Sequence, residues 1–245
     1  MDYSGYIFLL LIPLVAFLYA SVGHGGASGY LALMVLFGIS PALMKPSALI
    51  LNIFVSGISF LYYYSKGYFR WKVLMPFILL SIPLSFIGAK INIDTHIYKV
   101  ILAACLLLAI IRIFGFLNKD SEKEQRSVQF FIALFIGGLI GFISGLIGIG
   151  GGILLSPILI VLNWANMKQT AAISAAFIFL NSISGLAGAS FASQSFSSDI
   201  YLWTGLAIFG GVLGGWFGSH RFKTVRLKYI LAFVLVLACI KLLIS

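Results

Sequence analysis

Acidic side chains are nearly missing from this chain: six Asp and Glu stand among 245 residues, beside 16 Lys and Arg. Charged residues of either sign make up 9%. A water-soluble domain carries about 25% charged residues, so the chain has too little charge to cover a soluble surface. Two cysteines, Cys105 and Cys239, are too few for a disulfide scaffold, and long apolar runs exclude disorder and coiled coil. All six carboxylates (Asp2, Asp94, Asp120, Glu122, Glu124 and Asp199) fall in connectors or the N-terminal tail. A pump or antiporter that relays protons through an intramembrane carboxylate therefore lacks its central residue. Paired carboxylates, metal-ligand clusters, Walker loops and Ser-His-Asp sets are missing or unplaceable. No enzyme, metal or cofactor is expected.

What the chain has in abundance is apolar: 61% of it is hydrophobic, with a mean hydropathy of +1.11. The net charge of +10 would suit a nucleic-acid binder, but the charges sit in short connectors between apolar stretches, so nucleic acid is not expected. The partner is a lipid bilayer. Ten apolar segments can be read, at about 6–22, 28–40, 47–65, 73–89, 98–116, 129–147, 152–163, 170–190, 201–218 and 229–244. Eight approach the ~20 residues that cross a bilayer as helix. The short pair, 28–40 and 152–163, would span only ~18–20 Å. The first segment is not a cleavable signal, because no positive charge precedes it and no A-x-A-like site closes it. A multi-pass protein of a cell (inner) membrane is expected.

Basic connectors set the orientation. Lys66, Arg70 and Lys72 follow the third segment, Lys119, Lys123 and Arg126 the fifth, and Arg221, Lys223, Arg226 and Lys228 the ninth. Placing them in the cytoplasm puts both termini outside. The same charges fit ten crossings, or six crossings with two re-entrant hairpins.

The chain divides into repeats at 1–117 and 129–245, joined by a polar cytoplasmic linker at 118–128. GHGG at 23–26 matches GIGG at 148–151, and Lys45 matches Lys168. Ser81, Ser85 and Ala89 answer Gly210, Gly214 and Gly218 at the same four-residue spacing, which lets helices approach closely in lipid. The charge bias of equivalent connectors reverses, because 191–200 has no Lys or Arg where its counterpart is basic. That reversal predicts an all-α polytopic membrane protein of two inverted-topology halves, each with about five hydrophobic segments and a glycine-broken short or re-entrant helix. Many secondary transporters are built this way.

The glycine breaks are the strongest candidate site: Gly23, Gly25 and Gly26 in the first half, and Gly148, Gly150, Gly151 and Gly152 in the second. Each precedes a short helix, at Ser28 and beyond in the first half, whose N–H groups and positive dipole end favour an anion. Close helix packing is the competing reading of such glycines. His24 is the histidine inside a motif; it can protonate or donate to an anion, or simply bond to backbone. Lys45 and Lys168 can attract an anion into a vestibule or snorkel to headgroups. Asn52, Thr170, Ser174 and Asn181 place hydrogen-bonding groups in apolar segments, to line a pathway or join helices.

The stretches SVGHGGASGYLALM at 21–34, GLIGIGGGILLSPILI at 145–160 and MKQTAAISAAFIFLNSISGLAG at 167–188 resemble the sulfite exporter TauE/SafE family. The resemblance covers nearly the whole chain and carries over to Gly23, Gly25, Gly26, Gly148, Gly150, Gly151 and the 170–185 stretch. His24 departs from the second-half pattern, where Ile149 stands. The resemblance implies a transporter of sulfur-containing anions, sulfite or an organosulfonate. The function expected is secondary transport of a small anion by alternating access. Two alternatives stay open: a transmembrane thiol relay through Cys105 and Cys239, and a non-transporting scaffold subunit. A homo-oligomer is also left open.

Overall fold

The computed structural model describes residues 3–115, 125–189, 199–220, 235–237 and 239–242. Most of the linker, the connectors at 191–198 and 221–228, and most of the expected tenth segment lie outside the described residues. Regular structure among the described residues is all helical. The helices are α1 Tyr3–Ala20, α2 Ala27–Leu36, α3 Pro41–Ser65, α4 Trp71–Lys90, α5 Thr95–Gly115, α6 Phe130–Ile147, α7 Gly152–Val161, α8 Met167–Gly188 and α9 Asp199–His220. Five stretches are long and apolar enough to cross a membrane: Ala42–Ser65, Trp71–Lys90, Phe130–Ile147, Met167–Gly188 and Asp199–His220. The ten-residue α2 and α7 are each about 15 Å long, half of a ~30 Å hydrocarbon core. Neither crosses alone.

Several helices start earlier than the apolar runs suggest, α3 and α8 among them. Proline at the first turn of α3 loses no hydrogen bond there, because that N–H would be unpaired anyway. At α8 a capping box starts the helix. Asn166 Oδ1 accepts the Gln169 N–H at 3.0 Å, and Gln169 Oε1 accepts the Asn166 N–H at 3.1 Å. Lys45 and Lys168 thus lie inside helices instead of ahead of them.

The two longest central helices, α3 and α8, pack against each other. α9 lies along α3 and α1, and α4 lies along α8 and α6, so the contacts are reciprocal across the bundle. Each outer pair closes on glycine. A Cβ on Gly137, Gly141 or Gly145 of α6 would strike the backbone of Phe77, Ser81 or Ser85 of α4. A Cβ on Gly210, Gly214 or Gly218 of α9 would strike the backbone of Pro13, Phe17 or Ser21 of α1. Without a hydrophobic force between helices in lipid, this backbone contact supplies the dispersion that holds them together. The outer surface is apolar, with Phe131 81%, Tyr201 80% and Leu10 73% exposed. Exposed apolar surface on this scale needs a lipid cover.

Candidate solute-binding site

The chain interrupts its helices at two places. After α1, residues 21–26 turn, with Gly23 at φ +77° and Gly26 at φ +98°, before α2 begins. After α6, residues 148–151 turn, with Gly148 at φ +83°, Gly150 at +77° and Gly151 at +79°, before α7 begins. Left-handed backbone of this kind favours glycine, since a Cβ there costs roughly 1–2 kcal/mol.

Asn52 of α3 ties the two interruptions together. Its Oδ1 accepts the Ala27 N–H at 3.0 Å, at the start of α2. Its Nδ2 donates to the Ile149 carbonyl and the Ser182 hydroxyl, both at 3.3 Å. The amide is fully buried, with a glycine facing it from each turn. A Cβ on Gly25 would strike Asn52 Oδ1, and one on Gly150 would strike Asn52 Nδ2.

His24 makes a second tie. Its Nδ1 lies 2.9 Å from the Val22 carbonyl, and its Nε2 lies 3.3 Å from the Gly152 carbonyl and 3.0 Å from Ser156 Oγ. Ser156 Oγ in turn lies 2.7 Å from Ser174 Oγ of α8. The imidazole therefore reaches from the first glycine turn onto the start of α7. His24, Ser156 and Ser174 are all buried.

The other expected residues lie around this centre. Ser28 Oγ sits 2.5 Å from the Tyr19 hydroxyl. Asn181 Nδ2 donates to Ser81 Oγ at 3.1 Å and to the Phe177 carbonyl at 2.9 Å, while its buried Oδ1 has no partner. Ser85 Oγ donates to the Asn181 carbonyl at 3.0 Å, so Asn181 joins α8 to α4. Thr170 Oγ1 turns to the Ala165 carbonyl at 3.5 Å, at the N-terminal end of α8, and does not join the Asn52 cluster. Gly23 packs on Ala171, Gly148 on Lys45, Gly151 on Phe177 and Gly152 on Ile178.

The two matched lysines make matched bonds. Lys45 Nζ donates to the Ala89 carbonyl in the last turn of α4 at 3.0 Å. Lys168 Nζ donates to the Gly218 carbonyl in the last turn of α9 at 2.5 Å, with the Tyr63 ring 5.6 Å away. A cation at a helix C-terminus meets unpaired carbonyls and the negative end of the dipole. Cys239 Sγ donates to the Ala103 carbonyl at 3.3 Å, and both cysteines are buried in one apolar cluster.

Several members of the site have little signal in the sequence. Ser156 is not singled out by its sequence, and Ser182 only as part of the 170–185 stretch; both become partners when α7 and α8 pack on the glycine turns. The hydroxyls of Tyr30 and Ser144 are buried without partners. A Cβ on Gly26 would lie 3.0 Å from the Tyr30 hydroxyl, and one on Gly151 would lie 3.5 Å from Ser144 Cβ. No group of three metal-ligating side chains occurs among the described residues.

Membrane-length helices around a buried polar centre define a multi-pass helical membrane protein. Comparison with known proteins places it further. A family model described as Sulfite exporter TauE/SafE matches residues 8–242. The probable membrane transporter protein y4hK of Sinorhizobium fredii is 33% identical over 232 residues, 94% of this chain and 94% of that protein. The probable membrane transporter protein MJ0441 of Methanocaldococcus jannaschii is 30% identical over 73% of this chain and 72% of its own. The probable membrane transporter protein YunE of Bacillus subtilis is 26% identical over 81% of this chain and 80% of its own. No solved structure matches the chain significantly. The chain belongs to the sulfite exporter TauE/SafE family of membrane transporters.

Proposed function

We propose that this protein is a secondary transporter of a small anion, sulfite or an organosulfonate, working by alternating access without enzymatic chemistry. The observation that carries the reading is the Asn52 amide, held between the Ala27 N–H at the start of α2 and the Ile149 carbonyl of the second glycine turn. The starts of α2 and α7 meet there, and both are positive dipole ends suited to an oxyanion. Asn52, Ser174 and Ser182 have no exposed surface, so a solute reaches them only when helices part. The reciprocal packing of α1 with α9 and of α6 with α4 supports two inverted halves that rock about the α3–α8 contact. In this reading the protein sits in the inner membrane with both termini outside, since the basic connectors belong to the cytoplasm.

The test is flux of radiolabelled sulfite, then of sulfonates, in proteoliposomes beside protein-free vesicles. Saturable flux is expected, falling at least tenfold in Gly150→Ala and in Asn52→Ala. Folded protein that moves neither class of anion above the empty vesicles would refute the anion reading.

A further inference from the structure

Three cations that the solute site does not use gather at the other end of α4. Arg70, Lys72 and Arg126 line a cavity of about 630 Å³ together with Trp71, Gln125 and Trp164. The cavity shares no lining residue with the Asn52 cluster. Its walls are fixed: Arg70 Nη1 donates to Gln125 Oε1 at 2.7 Å, and the Arg126 N–H donates to the Asn163 carbonyl at 2.9 Å. Trp164, 5% exposed, is its one deeply buried indole.

Among the described residues the charge that lines the cavity is of one sign. A helix start favours acidic residues in its first turn, but α4 has none there and carries Arg70 and Lys72 instead. No carboxylate lines the cavity among the described residues. Three like charges beside a positive dipole end are relieved by an anion. Two guanidinium groups suit one with several oxygens, which they can grip in pairs. The rim indicates where that anion comes from. Trp71 is 57% exposed at the end of a membrane-length helix, in the manner of the aromatic residues that mark a bilayer interface. The volume is in the range of a ligand pocket and far exceeds one inorganic ion. The equivalent connector, 191–200, holds no Lys or Arg, so nothing in its sequence repeats the cation cluster.

We infer that this cavity binds the phosphodiester headgroup of an anionic phospholipid. Arg70 and Arg126 grip the phosphate oxygens, Lys72 adds charge, and Trp71 borders the glycerol and first methylenes. The lipid would hold the start of α4 to the segment that enters α6.

Native mass spectrometry of the full chain from detergent, titrated with phosphatidylglycerol or phosphatidylcholine, tests this. Wild type is expected to hold phosphatidylglycerol the more tightly. Each cation near a lipid phosphate is worth roughly a five-fold change in affinity, so Arg70→Gln with Arg126→Gln should weaken it roughly 25-fold. Lys66→Gln, on the same connector but outside the cavity, should leave binding unchanged. Arg126→Lys keeps the charge and loses the fork, and is expected to give an intermediate loss with the wild-type melting temperature even if the double variant folds poorly. Undiminished phosphatidylglycerol binding in Arg126→Lys and in the double variant would overturn the assignment. So would millimolar inorganic phosphate that displaces the lipid, since the site would then take a free oxyanion.

Discussion

If Asn52 is held between the two glycine turns, then Gly25 and Asn52 must be energetically coupled, and the coupling has a calculable sign. Gly25 lies outside the left-handed region, so an added methyl there meets only a steric cost. That methyl strikes Asn52 Oδ1 and comes within 3.1 Å of Ile178 Cγ2. Overpacking of this kind costs about 1–3 kcal/mol. Asn52→Ala removes three hydrogen bonds of about 1 kcal/mol each and strands two backbone groups, a loss of about 3 kcal/mol. It also removes the atoms that the new methyl would strike. Gly25→Ala in the Asn52→Ala background should therefore cost well under 1 kcal/mol. The double variant should then be more stable than the sum of the singles by about 1–2 kcal/mol. Gly150→Ala behaves differently, because its φ of +77° carries strain that Asn52→Ala cannot relieve. Its coupling should be the smaller fraction of its total cost. Reversible unfolding of the four proteins of each cycle in mixed micelles measures both. Additivity within ~0.5 kcal/mol for Gly25 and Asn52 would refute the convergence of the two turns on this amide.

Gly141→Leu and Gly214→Leu should each prevent the α4–α6 or α1–α9 approach and cut the yield of folded protein severely, whereas Gly205→Ala, with nothing within 4 Å, should be neutral or stabilising by up to about 1 kcal/mol; size-exclusion profiles and melting separate them. Lys45→Met and Lys168→Met should each lower stability by about 1 kcal/mol through the lost helix-end bond, and leave the half-saturating anion concentration unchanged. A several-fold rise in that concentration with unaltered melting would instead put the lysine in the anion's path. Cys105→Ala combined with Cys239→Ala should keep anion flux within two-fold of wild type in vesicles, and loss of flux in a folded double variant would revive the thiol relay.

The apolar runs already mark the helices, because in lipid a segment's composition and its burial are nearly the same property. Helix ends are less legible. The run beginning at 47 ignores Lys45, and the run beginning at 170 ignores Lys168, since a window that scores hydropathy rejects a lysine at a helix start. The structure keeps both inside their helices, because each Nζ finds a carbonyl on a neighbouring helix end. The sequence places a small-residue ladder on α4, at Ser81, Ser85 and Ala89, to match the glycines of α9. Ser81 and Ser85 do lie in the close contact with α6, while Ala89 faces Gly188 of α8, and the glycines that make the α4–α6 approach possible are Gly137, Gly141 and Gly145 of α6. Spacing identifies a helix that can be approached closely; it does not say which partner supplies the missing Cβ.

The same limit explains the polar centre. Asn52 and His24 stand out as hydrogen-bonding groups in apolar surroundings, and both lie where the two glycine turns meet. Their partners are the Ala27 N–H, the Ile149 and Gly152 carbonyls, and the hydroxyls of Ser156 and Ser182. Backbone atoms carry no residue identity, and a serine in a membrane helix satisfies itself on its own backbone unless a neighbour offers more. Ser156 shows both states at once: its Oγ lies 2.8 Å from the Gly152 carbonyl one turn back, and also within reach of His24 and Ser174. A side chain with a local bond always at hand can release a distant partner at little cost. In the proposed cycle, where this interface would open to admit a solute and then close, Ser156 opposite His24 would let the contact break without stranding a hydroxyl.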